Sequence, residues 1–326
     1  LPIIYMGIMG LALLIYVILD GYDLGVGLLV PLADEAEKDM MIASIGPFWD
    51  ANETWIVLGI GVLLIAFPVA HGIILTSLYL PVTLMLMGLI LRGVAFDLRV
   101  KAGDHRRGLW NKAFFGGSLI ASVAQGWMLG AYITGLQSST TSLLFSALIA
   151  MTLPALYLIL GCGWLLMKTD GDLRNKAIGW ARMAIWPMGL GLFMVSIATP
   201  MVSSSIAEKW FTLPNALYLM PIPMVCVFCY GVIVMALNKP TVLNQGYSWL
   251  IFACTVAICL MASLGLAYSI FPDIVIGGLT IWESAASVKS LQFTLVGVVI
   301  TLPVILFYTF FVYRIFHGKA TALSYE

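Results

Sequence analysis

Two pairs of carboxylates lie within hydrophobic stretches of this sequence, where ionised groups are costly. Asp20 and Asp23 form the first pair, and Asp50 and Glu53 form the second. The members of each pair are three residues apart, so they share one face of a helix. A charged side chain at the centre of a membrane helix costs ~2.5–3.5 kcal/mol on insertion scales, and such acids usually face a partner, a cavity or a proton path.

A basic residue that could meet these acids lies in a third hydrophobic stretch. Arg92 precedes Arg99 by seven residues, which is ~10 Å along a helix. Asp23 and Asp50 each lie eleven residues from the acidic connection 34–39, at most ~16 Å by the same rise. We therefore expect three consecutive helices to bring the four acids and Arg92 to similar depth. Asp97 lies at the mouth of this cluster, where we expect an ion pair with Arg99 or Lys101.

Three interpretations of the cluster remain open. It could conduct protons, it could be a purely structural network in which Arg92 locks three helices together, or it could bind a cation. One arginine cannot neutralise four acids, so at least two carboxylates must be protonated, hydrated or titrating. The candidate proton path consists of Asp20, Asp23, Asp50, Glu53, Arg92 and Asp97.

The composition places the whole chain in a membrane. Hydrophobic residues make up 61% of its 326 residues and charged residues 10%, whereas a soluble domain carries about 25% charged residues. Because about 20 apolar residues span a bilayer, the sequence predicts an all-α polytopic protein forming one transmembrane domain, 1–326. Its nine predicted spans are approximately 3–32, 45–67, 72–96, 113–134, 142–167, 178–202, 215–237, 248–271 and 291–316.

The Lys and Arg residues indicate the orientation. Thirteen of the 16 lie in or beside the connections after odd-numbered spans or the C-terminal tail, and two, Lys209 and Lys289, fall on the opposite side. The N-terminus is therefore predicted outside and the C-terminus in the cytoplasm. The formal net charge is zero, which gives no electrostatic reason to expect nucleic acid as a partner.

Metal and haem ligands are scarce within the predicted spans. The three histidines, His71, His105 and His317, lie in or beside predicted loops, and a bis-histidine haem needs ligands inside the spans. Cys226 and Cys229 form a CxxC on a membrane helix, which most often reflects packing. We expect no metal, no bound haem and no catalytic residue in this chain.

Three further residues have both a structural and a functional interpretation. Trp49 and Trp55 flank the second acid pair and could belong to an aromatic belt or contact a quinone or lipid. Glu283 precedes the last span and by itself is a solvated or helix-capping acid. We retain it as a possible secondary site.

Three motifs in register resemble subunit II of the cytochrome bd-type quinol oxidases. They are LDGYDLGVG at 19–27, GPFWDANETW at 46–55 and RGVAFDLR at 92–99, and the segment LTIWESA at 279–285 also resembles that family. The resemblance covers the whole length, with a comparable number and order of helices. Two departures are Ala51, where relatives often carry Gly, and Glu283, where an Asp is common.

The resemblance implies two four-helix bundles plus a peripheral helix in a bacterial or archaeal cytoplasmic membrane. It implies a heterodimer in which this chain carries no haem, while a haem-bearing subunit I holds the b- and d-type haems and the quinol site. A small single-helix subunit is a further possible partner, beside membrane lipid and quinol. The complex would oxidise quinol and reduce oxygen to water. The resemblance also implies a cytoplasmic proton channel at Asp23 and Asp50, and in some members a bound quinone near Trp49.

A function of a different class also fits the acid cluster. A proton-coupled secondary transporter could use the same acids as its coupling site. Such transporters typically show internal repeats and a binding site near the middle of the membrane, whereas this sequence shows no clear repeat and its acids lie in one half of the membrane. A coloured complex of several chains would favour the oxidase, and an active, colourless single chain would favour the transporter.

Overall fold

The computed structural model describes residues 1–101 and 103–320. Most of this part of the chain is helical. The elements in chain order are α1 Pro2–Leu29, a 3₁₀ turn Val30–Leu32, α2 Glu35–Ile45, α3 Trp49–Ala66, α4 Pro68–Ser77, α5 Tyr79–Lys101, α6 Asp104–Ile133, α7 Thr140–Lys168, α8 Gly171–Val202, α9 Ser204–Phe211, α10 Asn215–Leu219, α11 Pro221–Asn238, α12 Pro240–Val242, a π-helical turn Leu243–Tyr247, α13 Trp249–Ile270, β1 Asp273–Val275, β2 Leu279–Thr280 and α14 Val288–Ile315.

The predicted polytopic membrane fold is confirmed. Within the described residues, nine helical segments are long and apolar enough to cross a membrane. They are α1, α3, α5, α6, α7, α8, α10 with α11, α13 and α14, and each matches one predicted span. The strands β1 and β2 add only a small antiparallel ribbon between α13 and α14.

Two connections differ from the prediction because they form helices of their own. The acidic stretch after the first span forms α2, which begins with a capping box between Asp34 and Glu37. Donation from the backbone N–H of Glu37 lowers the pKa of Asp34. The predicted third span, 72–96, is in fact divided at Leu78 into α4 and α5. Hydropathy does not detect this break, because the residues on both sides of it are apolar.

The spans pack in two groups of four. In the first group α1 contacts α3 and α6, and α5 lies along α6. In the second group α7 contacts α8 and α13, while α11 lies along α13 and also contacts α8. Helix α7 joins the groups through α1 and α6, and α14 lies at the periphery beside α3. This packing agrees with two four-helix bundles plus a peripheral helix.

Glycines allow the closest helix contacts, and these contacts position the acid cluster. A β-carbon on Gly25 would overlap the carbonyl oxygen of Tyr157, and one on Gly161 would lie 2.5 Å from the carbonyl carbon of Gly25. Helices α1 and α7 therefore meet backbone to backbone at Gly25, two residues after Asp23. A β-carbon on Gly88 would similarly lie 2.8 Å from the backbone of α6, which sets α5 close to α6 just before Arg92.

One end of the bundle carries α2, the last turn of α5 and the last turn of α14, and we call it the α2 end. Basic residues from three other helices hold α2 there. Arg99 contacts Asp39 at 2.6 Å, and Lys176 contacts Glu37 at 2.7 Å. The acidic charge of α2 is thus largely paired with bases that are far from it in the sequence.

Candidate functional site

Arg92 is the centre of a buried ion-pair cluster that joins three helices. Its guanidinium is 1% exposed, and Nη2 lies 2.5 Å from Oδ1 of Asp20 on α1. The same nitrogen donates to Oε1 of Glu53 on α3. The predicted convergence of α1, α3 and α5 on Arg92 is therefore confirmed for Asp20 and Glu53.

The two carboxylates on Arg92 differ in their access to the outside of the chain. Asp20 is completely buried, whereas the side chain of Glu53 is 22% exposed. Three polar atoms of the pair Arg92–Asp20 have no protein partner in the described structure, namely Nε and Nη1 of Arg92 and Oδ2 of Asp20. Glu53 therefore connects a buried polar region with the surface of the chain.

Asp23 is buried like Asp20, but uncharged groups hold it. Its Oδ2 accepts a hydrogen bond from Nδ2 of Asn52 at 2.8 Å, and its Oδ1 has no protein partner among the described residues. Arg92 acts on Asp23 through space and contacts Asp20 and Glu53 directly. One buried acid of the first pair is thus neutralised by contact, and the other is not.

Asn52 belongs to a small network that the sequence analysis did not identify. Its Nδ2 also donates to the hydroxyl of Tyr22 at 2.8 Å, and its Oδ1 accepts from the hydroxyl of Tyr313 at 3.0 Å. The two hydroxyls lie 2.6 Å apart. Asn52 lies between the acids of the second pair in the sequence. An amide in an apolar helix indicates a buried hydrogen-bonding site, so Asn52 could have been identified. The contribution of Tyr313, 261 residues further along the chain, gives no sequence signal.

Aromatic rings enclose this network. Tyr22 stacks on Trp164 with ring centroids 4.1 Å apart, and Phe48 lies 4.6 Å from Tyr313. Phe48 and Trp164 also meet edge to face at 5.3 Å. The rings exclude solvent from the hydrogen bonds around Asp23, which makes those bonds electrostatically stronger than in water.

A second chain of neutral hydrogen bonds ends beside Asp20. The hydroxyl of Tyr157 donates to Oε1 of Gln125 at 2.5 Å, and Nε2 of Gln125 donates to the hydroxyl oxygen of Tyr16 at 2.7 Å. Because Tyr16 accepts from Gln125, its own proton is available to Asp20, one turn later on the same helix. Neither Tyr16 nor Gln125 was identified from the sequence.

Asp50 does not join the buried cluster, contrary to the expectation that the four acids meet at one site, and Asp97 also lies outside it. Both are exposed. Successive residues of a helix are rotated by about 100°, and the inward face of α3 lies between Asn52 and Glu53, so Asp50 falls at its edge. The same geometry turns Asp97 about 140° away from Arg92.

The ion pair expected between Asp97 and Arg99 or Lys101 is also not seen within residues 1–101 and 103–320. Arg99 instead contacts Asp39 of α2 and donates to Oδ1 of Asn111 at 2.6 Å. The prediction was wrong because it treated the connection 34–39 as a loop, whereas α2 brings Asp39 to the end of α5.

The two tryptophans occupy different environments. Trp49 is partly buried and packs on Phe96, with ring centroids 5.0 Å apart. Trp55 is 1% exposed and packs against Ala12 and Tyr16 on α1. Trp49 thus keeps an open face beside the acids, whereas Trp55 belongs mainly to the interface between α1 and α3.

Glu283 forms a local turn rather than part of the cluster. Its Oε2 accepts from the backbone nitrogen of Thr280 at 2.9 Å and from the Thr280 hydroxyl at 2.7 Å. The backbone donor lowers the pKa of Glu283. Glu283 is exposed, which agrees with the interpretation as a solvated acid, and it does not cap α14, whose N-cap is Ser287.

The described residues contain no group of three or more His, Cys, Asp and Glu that could hold a metal ion. The groups that meet here, carboxylates, an arginine and tyrosine hydroxyls, are suited to proton transfer and charge stabilisation. Glu53 is partly exposed, Asp23 lies in a closed pocket, and Arg92 contacts Asp20 directly.

Comparisons with known proteins align over nearly the whole length of the chain. The chain is 25% identical over 324 aligned positions to cytochrome bd ubiquinol oxidase subunit 2 of Bacillus subtilis, covering 93% of this chain and 92% of that protein. It is 25% identical over 366 aligned positions to cytochrome bd-I ubiquinol oxidase subunit 2 of Escherichia coli K12, covering 98% and 95%.

The fold is similar to that of a solved bd oxidase from Geobacillus thermodenitrificans, with a TM-score of 0.76 and 15% sequence identity over 97% of this chain and 98% of that chain. A family model described as cytochrome bd terminal oxidase subunit II matches residues 1–316. Since this match covers nearly all of the 326 residues, the chain belongs to the cytochrome bd terminal oxidase subunit II family.

Proposed function

We propose that this chain is the haem-free subunit of a quinol oxidase and works only together with a haem-bearing subunit I. The partner would carry the b- and d-type haems and the quinol site, and the complex would lie in a bacterial cytoplasmic membrane. The names of the relatives as ubiquinol oxidase subunits support this assignment. The family also argues against the alternative of a proton-coupled transporter, for which the comparisons give no support.

The chain would supply protons for oxygen reduction, which consumes one proton for each electron transferred. The observation that supports this proposal is that Asp20 and Asp23 have different contact partners. Arg92 forms an ion pair with Asp20, whereas Asp23 accepts a hydrogen bond from a neutral donor, the amide of Asn52. A buried acid without a contacting counter-charge changes its protonation state more readily than one in an ion pair.

The proposed path begins at the α2 end, which we assign to the cytoplasm from the distribution of Lys and Arg. Protons would enter at the exposed Asp50 and pass to Glu53, one turn further along α3 and partly exposed. From Glu53 they would reach the polar region around Arg92, where Asp20 and Asp23 have free carboxylate oxygens. Asp97, on the outward face of α5, would serve only as a surface acid near the entrance.

Arg92 and Asp20 would also act as the structural anchor of the three helices. This combines two interpretations of the cluster, because one ion pair can hold the helices while the remaining acids exchange protons. A cation bound in place of the proton is disfavoured, since Arg92 already supplies positive charge to the site. The open face of Trp49 would contact a quinone or lipid beside the entrance.

The test compares variants in the purified, coloured oxidase complex. Asp23→Asn keeps the shape of the side chain but cannot carry a proton, and a positioned proton-transfer group typically contributes about 10²–10⁴-fold to a rate. We expect quinol-driven oxygen consumption to fall by about that factor while haem content stays normal. Glu283→Gln is the matched control, because this acid lies outside the proposed path. Unchanged oxygen consumption in Asp23→Asn would refute the path.

A further inference from the structure

Both ends of the Asn52 amide form hydrogen bonds. At one end lies Asp23, the acid that is proposed to carry a proton for oxygen reduction. Nδ2 donates to Oδ2 of Asp23 and to the hydroxyl of Tyr22, both at 2.8 Å, and Oδ1 accepts from Tyr313 at 3.0 Å. Asn52 is 1% exposed. The amide therefore connects an acid of α1 with a hydroxyl of the last helix, α14.

Counting donors fixes the direction of every bond in this network. An ionised Asp23 can only accept, so the NH₂ group of Asn52 must face it. Oδ1 of Asn52 then faces Tyr313, which must use its single proton there. The 2.6 Å contact between the two hydroxyls must therefore be a donation from Tyr22 to Tyr313. No donor in the ring of Asn52, Tyr22 and Tyr313 is left unused.

Because the directions of these hydrogen bonds are fixed, the two carboxylate oxygens of Asp23 differ in their ability to accept a proton. A proton on Oδ2 would point at the NH₂ group of Asn52, and relieving that conflict would require the amide to turn and both hydroxyls to reverse. A proton on Oδ1 changes nothing in the ring. We propose that Asn52, held by Tyr22 and Tyr313, is a positioning residue that keeps Oδ2 of Asp23 as an acceptor and directs the transferred proton to Oδ1.

The proposal assigns α14 a role in proton transfer. Contacts at the end of α14 hold this helix in place. Beyond its last turn, the segment 316–320 is fastened to the end of α7. Nζ of Lys168 donates to the carbonyl oxygens of Phe316 and Gly318, and the backbone nitrogen of Ala320 donates to Lys168 at 2.8 Å. Lys168 also lies over the rings of Phe48 and Trp164, at 5.3 and 5.0 Å. These rings are the ones that pack against Tyr313.

The inference rests on the proposed function, because it assigns a direction to a proton that Asp23 is proposed to carry. The charged groups that act on Asp23 are Asp20, Glu53 and Arg92, and the hydroxyls of Tyr22 and Tyr313 face it from α1 and α14. The network changes none of these charges. The effect of this hydrogen-bond network on Asp23 can therefore be measured separately from the effect of the ion pair formed by Arg92.

The experiment measures the infrared difference spectrum of the intact oxidase complex on reduction and reoxidation, in the region of the C=O stretch of protonated carboxyl groups. The band of Asp23 is identified by its loss in Asp23→Asn. Tyr313→Phe removes one hydroxyl and keeps the ring, and we expect it to shift this band and to slow oxygen consumption about 2- to 10-fold, the range for one hydrogen bond. Asn52→Leu should shift the band further, because both bonds of the amide are lost.

Tyr308→Phe is the matched control, since Tyr308 lies on the same helix and is 56% exposed. It should leave both the band and the rate unchanged. If Asp23→Asn removes a band and slows oxygen consumption but Tyr313→Phe and Asn52→Leu leave the band in place, the positioning proposal fails and the proton path stands. If Asp23→Asn removes no band and turns over at the wild-type rate, the path fails and the positioning proposal fails with it. A lower yield of complex with an unshifted band would assign Tyr313 a structural role only and would also overturn the proposal.

Discussion

Asp20 and Asp23 lie one turn apart on the same helix and are both completely buried, yet only Asp20 contacts the guanidinium of Arg92. Asp23 instead accepts a hydrogen bond from the neutral amide of Asn52. The two acids therefore have equal burial but different partners. In the proposed path, Asp20 would anchor the helices and Asp23 would exchange the proton.

Arg92→Leu should damage assembly more than any single change among the acids. It leaves Asp20 buried without its partner, and breaking a buried ion pair typically costs ~3–5 kcal/mol. The measurement is the yield of intact, coloured complex from membranes at equal expression. Arg92→Lys should be intermediate, because an ammonium keeps the charge and loses the planar fork. A wild-type yield from Arg92→Leu would show that the cluster is not an anchor.

Glu53→Gln should slow turnover more than Asp97→Asn. Glu53 touches Arg92 and is the partly exposed acid of the cluster, whereas Asp97 is exposed on the outer face of α5. Both variants keep the shape of the side chain and should assemble. The measurements are the rates of quinol-driven oxygen consumption and of proton uptake in reconstituted vesicles. Equal rates for the two variants would remove Glu53 from the path.

Asp50→Asn should have an effect that depends on the partner subunit. Asp50 is exposed in the isolated chain, so water could replace it as the entrance unless the partner covers it. We expect turnover to slow while assembly stays largely intact, and by less than in Asp23→Asn. Loss of the complex in Asp50→Asn would indicate an interface role instead, and an unchanged rate would exclude Asp50 from the path.

Gly25→Ala should prevent assembly, whereas Gly7→Ala on the same helix should not. A β-carbon on Gly25 would overlap the backbone of Tyr157, while one on Gly7 meets nothing within 4 Å. Overpacking a tight site typically costs ~1–3 kcal/mol, and here backbone faces backbone, so neither side can give way easily. The measurement is the haem content of purified complex per mole of this chain. Equal haem content in the two variants would contradict the close contact of α1 and α7.

Glu283→Gln should leave turnover unchanged and alter only the local turn. The backbone N–H of Thr280 lowers the pKa of Glu283, so its stabilising contact is present above the ordinary pKa of a glutamate and is lost as the pH falls through the lowered value. The thermal stability of the variant should therefore differ slightly from wild type at neutral pH and converge with it in acid. A large loss of turnover would show that Glu283 has a direct role.

The sequence alone was sufficient for the membrane class, the number of spans and the approximate depth of the acids. These follow from the length of apolar runs and from a fixed rise per residue, both of which are local properties. It was also predictable that Arg92 would meet carboxylates of the cluster, because a buried arginine needs acids at its own depth. That these are Asp20 and Glu53 was not predictable from the sequence.

The rotation of each helix about its axis could not be predicted from the sequence, because it depends on packing contacts between residues that are far apart in the chain. The backbone contact of Gly25 with Tyr157 and the seating of α5 on α6 turn Asp20, Glu53 and Arg92 toward one another. Asp50 and Asp97 have the right depth but face outward. The partner of Asp23 likewise depends on Tyr313, which reaches Asn52 only after the whole chain has folded. The depth of a side chain follows from its position along one helix. Its direction and its contact partners depend on how the helices pack against each other.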